Sequence, residues 1–131
     1  MSFNEEHAIE TYKSLINIST EAFKALQLLN GGAVVALLAY LGQMAPTHPK
    51  ILTYAKGPLS FFVAGLVAGT FVYITSYLTQ LSLHNENIGN KGYKGLKHGW
   101  WLFFSFLLGI GSVVLFSAGA FSCLGALSAV P

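Results

Sequence analysis

The stretch LLNGGAVVALLAYLG, residues 28–42, decides how this chain is read. It carries no charge, and apart from one asparagine and one tyrosine it is apolar or small throughout. Such a run reads as part of a helix in hydrocarbon. Asn30, Gly31 and Gly32 are the exceptions that need a reason. Glycine is a poor helix former by about 1 kcal/mol relative to alanine. An amide with no partner in hydrocarbon costs several kcal/mol. The three residues therefore point either to close helix packing or to a polar path.

Working outward, the chain has 131 residues, of which 53% are hydrophobic and only 9% charged. With a mean hydropathy of +0.58, it falls outside the soluble range and belongs in a bilayer. Uncharged runs cover residues 25–49, 57–85 and 98–131. A hydrocarbon core about 30 Å thick takes roughly 20 apolar residues as helix, so each run can cross once. The expectation is an all-α membrane protein with transmembrane helices at 24–44, 58–82 and 100–124. The third run is long for one crossing, and a tilted helix is expected there, with a break near Gly119 as the alternative.

From residue 4 to 23, Ile9, Tyr12, Leu15, Ile16 and Phe23 recur at helical spacing, with Glu6, Glu10, Lys13 and Glu21 mostly elsewhere around the helix. This predicts an amphipathic helix that runs on into the first span as a rod of about 40 residues. Its 3-4 spacing suits packing against a copy of itself, and the competing arrangement is a helix lying flat on the leaflet. Lys13, Lys24, Lys91, Lys94 and Lys97 fall on one side of a three-span layout, against Lys50 and Lys56 on the other. By the positive-inside bias, the amino terminus and the second loop are expected in the cytoplasm.

Each span carries small residues at packing spacing. Gly31, Gly32, Ala36 and Ala39 lie in the first, Gly65 and Gly69 form a GxxxG in the second, and Ser105, Gly109 and Ser112 lie in the third. Small residues let helix backbones approach closely where lipid removes the hydrophobic incentive to associate. The pattern predicts a tight bundle, with self-association into a homo-oligomer. Gln27 and Asn30 share one helix face; they are candidates either for interhelical hydrogen bonds or for a polar ring lining a pore. Thr75, Thr79, Gln80 and Ser82 extend a polar zone along the second span.

Lys91, Lys94, Lys97 and His98 make the one concentrated basic patch, a candidate for lipid headgroups or for a phosphorylated cytoplasmic ligand. The chain has no arginine and no aspartate. Bidentate recognition of phosphate is therefore missing, and a nucleic-acid duplex is not an expected partner. No Ser-His-Asp set exists, and the single Cys123 has no histidine near it in sequence, so no catalytic residue, metal site or cofactor is expected. A haem held by His84 and His98 is the one cofactor alternative the histidines allow. No span contains an ionisable side chain of the kind that carries coupling charge in transporters.

Residues 24–42, with the motif ALQLLNGGAVVALLAYLG, resemble a group of small bacterial inner-membrane proteins in which an amphipathic helix leads into three spans. The layout resembles more loosely the membrane effectors of antiphage defence, including the Hailong type. That resemblance implies a channel or membrane-disrupting effector in the bacterial inner membrane, opened from the cytoplasm by a nucleotide or a signalling protein. The residues themselves leave a second expectation open, a non-conducting membrane adaptor that recruits a cytoplasmic partner.

Overall fold

A computed structural model describes residues 3–89 and 95–128. Among them the structure is three long helices with short connections: α1 spans Phe3–Met44, α2 Ile51–Asn87 and α3 His98–Ser128. Residues 4–23 and the first span are one unbroken helix of 42 residues, about 63 Å long at 1.5 Å per residue. α2 begins ahead of the expected residue 58, because Pro58 sits inside the helix rather than before it. Proline is tolerated in membrane helices where neighbours re-satisfy the backbone, and Pro58 is buried against the bundle. α2 ends where Gly89 takes a left-handed φ of 63° and donates its N–H to the Glu86 carbonyl. α3 passes through Gly119 without a break.

α2 runs antiparallel to both α1 and α3, and packs most extensively on α3; α1 leans on α2 and touches α3 sparingly. The buried residues of α2 are Ile51, Ala55, Pro58, Phe62, Gly65, Gly69, Val72, Thr75, Thr79 and Ser82. Successive members are three or four residues apart, the spacing of a left-handed helix seam. α3 answers with Ser105, Ser112 and Gly119, each buried and seven residues from the next.

The bundle is inverted relative to a soluble protein. Asn30, Thr75, Thr79, Ser82, Ser105 and Ser112 are buried, while Leu28, Val35, Phe71, Tyr77, Phe106, Val114 and Phe121 are exposed. In water an apolar exterior this extensive would aggregate. In hydrocarbon it is the solvated face, and all three helices are long and apolar enough to cross a membrane. The chain is a multi-pass membrane protein.

The charges locate the bilayer along the bundle. Phe23 meets Tyr73 edge-on, with ring centroids 6.0 Å apart. That contact is about 17 residues along α2 from Lys56, or roughly 26 Å. Lys24, ion-paired to Glu21 at 2.7 Å, and Lys56 thus bracket close to one hydrocarbon thickness. Beyond Lys24, the first half of α1 continues beside the end of α2, where the Tyr12 hydroxyl donates to Gln80 Oε1 at 3.4 Å.

Candidate functional site

The best-defined polar assembly lies at bilayer depth, where all three helices meet. Asn30 is 0% exposed, about 9 Å along α1 from Lys24. Its Nδ2 donates to the Leu26 carbonyl and to Ser112 Oγ, both at 3.1 Å. Ser112 Oγ in turn donates to the Gly65 carbonyl at 2.9 Å. One amide on α1, one hydroxyl on α3 and one carbonyl on α2 therefore form a chain of hydrogen bonds through the bundle.

Asn30 Oδ1 is buried and has no hydrogen-bond donor. It occupies the space that a side chain at position 65 would fill. A Cβ built on Gly65 overlaps Oδ1 and lies 2.8 Å from the Asn30 Cγ. The atom facing the oxygen is thus the Gly65 Cα hydrogen, in the manner of the weak Cα–H···O contacts of close helix pairs. Gly65 is required by this approach of α1 to α2. A turn away, Gln27 Nε2 donates to Thr70 Oγ1 at 3.0 Å, and Thr70 Oγ1 donates to the Leu66 carbonyl at 2.9 Å. A Cβ on Gly69 would meet Gln27 Nε2 at 3.3 Å and Ser112 Oγ at 3.5 Å. The GxxxG of α2 is the floor on which both amides of α1 rest.

Further along the seam, Ser105 Oγ donates to Thr75 Oγ1 at 2.7 Å. Thr75 and Thr79 also return their hydroxyls to carbonyls of their own helix. Interhelical bonds of this kind contribute about 0.6 kcal/mol each on average. Their larger effect is on register: sliding a helix by one residue would leave buried amides and hydroxyls without partners.

The packing candidates divide into two groups. Gly65, Gly69, Ser105 and Ser112 are buried, and half-buried Gly109 faces Phe23, which a Cβ there would meet at 3.9 Å. Gly31 is half-buried, its missing Cβ directed at Leu66 Cδ1 at 3.6 Å. Gly32, Ala36 and Ala39 instead face outward, and nothing lies within 4 Å of a Cβ on Gly32. One site escaped the sequence reading. Gly119 makes room for Phe62, since a Cβ there would lie 2.7 Å from Phe62 Cε1, and the Phe62 ring packs tilted at 51° against Phe116, centroids 5.7 Å apart. The signal was present as the seven-residue recurrence of Ser105, Ser112 and Gly119.

Of the basic patch, Lys91 and Lys94 lie outside the described residues. Lys97 is exposed. His98 is engaged: Glu86 accepts from the His98 backbone N–H through Oε1 at 2.9 Å and meets its Nδ1 through Oε2 at 2.7 Å. This carboxylate caps the start of α3 and clasps it to the end of α2. Both residues lie past the uncharged part of α2 that crosses the bilayer. The His98 backbone N–H, with its side chain and the nearby Lys97 adding, holds the Glu86 carboxyl below its ordinary range. Comparison with protein-family models, curated proteins and solved structures finds no match for this chain.

Proposed function

We propose that this chain is a self-associating, non-conducting membrane adaptor that presents a partner-binding surface at the Glu86 end of its bundle. The observation that carries this reading is the junction itself. Asn30 and Ser112 direct their polar atoms at each other and at Gly65 within one chain, leaving neither to wet a path between chains. Self-association draws support from α1, whose outward positions 11, 18, 25, 32 and 39 are all exposed and recur every seven residues. From residue 25 onward they are Ala25, Gly32 and Ala39, small enough for a close backbone approach. The partner surface is the first half of α1, where exposed Leu15 and Ile18 lie among exposed Glu6, Glu10 and Lys13.

A second reading, a gated channel or membrane-disrupting effector of antiphage defence, is favoured by one observation. Gln27 is half-buried and Thr70 exposed at bilayer depth, so an assembly could turn this pair toward a shared axis. Its trigger would be a cytoplasmic nucleotide or signalling protein read by Lys97 and its neighbours. Ion flux through proteoliposomes holding the full chain, with its Asn30→Leu and Thr70→Val variants, separates the two readings. The adaptor reading expects background flux from all three proteins. Flux from the parent protein that is altered by Thr70→Val would overturn it in favour of the channel.

A further inference from the structure

At the Lys50 end residues of all three helices line an apolar cleft of about 180 Å³, among them Leu37, Tyr40, Ile51, Ala55, Cys123 and Ala126. It exposes no polar surface. Ala55 of α2 and Cys123 and Ala126 of α3 line it together with Tyr40 and Leu41 of α1. The cleft reaches from Leu37, inside the hydrocarbon span, to Ile51, past the level of Lys56, so its mouth lies among the lipid headgroups.

What distinguishes the cleft from an ordinary lipid-facing hollow is the charge around it. Lys50 stands immediately before the lining residue Ile51, and Lys56 immediately after Ala55. Both are exposed, and neither belongs to the ion pairs found among the described residues. No acidic side chain occurs between Glu21 and Glu86 or after Glu86, so Lys50 and Lys56 have no carboxylate side chain from the neighbouring stretches of sequence to neutralise them. The first N–H groups of α2 do not supply a competing anion site: Ile51, Leu52 and Thr53 donate to the carbonyls of His48, Pro49 and Lys50.

We infer that the cleft is a binding site for an anionic glycerophospholipid of the leaflet at the Lys50 end, with one acyl chain in the cleft and the phosphate over Lys50 and Lys56. Moving a chain from bilayer to cleft exchanges one apolar medium for another and brings little selectivity. The lysines make the choice, because a cation near an anionic surface gains about fivefold in binding for each charge.

The test uses the full chain in a neutral detergent, with phosphatidylglycerol or phosphatidylcholine of matched acyl chains, read by native mass spectrometry. Phosphatidylglycerol should be retained several-fold over phosphatidylcholine, because only its headgroup leaves the phosphate charge uncompensated for the lysines. The K50Q/K56Q double variant should bind the two lipids alike, and Ala126→Phe, which fills the cleft, should lose both. Equal retention by the parent protein, or a preference surviving K50Q/K56Q, would overturn the inference; the latter would assign the lipid to the lysines at the other end. Should Ala126→Phe fail to fold, alkylation of Cys123 by N-ethylmaleimide decides on the parent protein. Phosphatidylglycerol should slow it and phosphatidylcholine should not, and an unchanged rate would sink the site.

Discussion

Gly65→Ala adds one methyl group at the centre of the junction, and the structure says where it lands. The new Cβ would overlap Asn30 Oδ1 and sit 2.8 Å from Cγ and 3.2 Å from Nδ2, inside the roughly 3.5–4 Å of comfortable contact. The amide cannot simply retreat, because Nδ2 is tied to the Leu26 carbonyl and to Ser112 Oγ. If it turns away, two hydrogen bonds of about 0.6 kcal/mol each are forfeited, and a buried amide is left short of partners at about 1–3 kcal/mol. If α1 instead moves off α2, the cost is that of overpacking, also about 1–3 kcal/mol. The first route thus costs about 2–4 kcal/mol and the second about 1–3 kcal/mol; the cheaper one sets the outcome, a destabilisation of about 2 kcal/mol. Asn30→Ala alone should cost only the lost bonds, about 1 kcal/mol. In the double variant the methyl group enters space the amide has vacated, so its stability should be close to that of Asn30→Ala. The predicted coupling is about 2 kcal/mol. Reversible unfolding in mixed micelles, followed through Trp100 and Trp101 fluorescence, measures all four corners of this cycle. Additive single effects, or a Gly65→Ala protein within about 0.5 kcal/mol of the parent, would refute the close approach.

Three further outcomes follow from the same geometry. Gly119→Ala should destabilise by about 1–2 kcal/mol through contact with the Phe62 ring, and Phe62→Leu should relieve most of that cost in the same micelle assay. Gly32→Leu, at a position with open space around it, should leave unfolding of the single chain within about 0.5 kcal/mol of the parent while weakening self-association read by energy transfer between labelled copies. The Glu86 clasp should respond to acid. Because the folded carboxyl is held below its ordinary value, its stabilisation is complete above the unfolded value and is lost as pH falls through the folded one. Exchange of the His98 amide, corrected for its intrinsic rate, should therefore accelerate below the ordinary carboxylate range, and Glu86→Gln should remove that pH dependence.

Much of the fold is written in the spacing of charges. Uncharged runs broken only near Lys50 and after Asn85 dictate three crossings, and three long helices form among the described residues. Helix ends were harder to read. Pro58 carries the signal of a turn, yet it is absorbed into α2 because the bundle buries it. The break considered at Gly119 failed for a related reason, since a glycine there serves Phe62 on another helix rather than the backbone of its own. Local signals cannot tell a glycine that bends a chain from one that admits a neighbour.

The candidate site was legible in part. Residue type alone marked Asn30 and Gln27 as groups that must meet protein or water, and marked Gly65, Gly69 and Ser112 as places of close approach. Their pairing is a tertiary fact, set by which turn of α1 lies over which turn of α2. The small residues of α1 show the limit most clearly. Asn30 turns inward, while Gly32, two residues on, faces away from the bundle, and periodicity separates the two faces without saying which one the chain covers itself.

The central claim is that the Asn30 amide is consumed inside its own chain. Cysteines placed at Asn30 and Ser112, with Cys123→Ala to remove the native thiol, test it in native membranes with a short bifunctional methanethiosulfonate crosslinker, because an amide-to-hydroxyl hydrogen bond holds the two Cβ atoms wider apart than a disulfide spans. The expected result is a crosslink within one chain, seen as loss of both thiols with no covalent dimer and with little labelling of position 30 by a water-soluble thiol reagent. Covalent dimers joined through position 30, or rapid aqueous labelling there, would show that this position faces a sister chain or a water-filled path, and would contradict it.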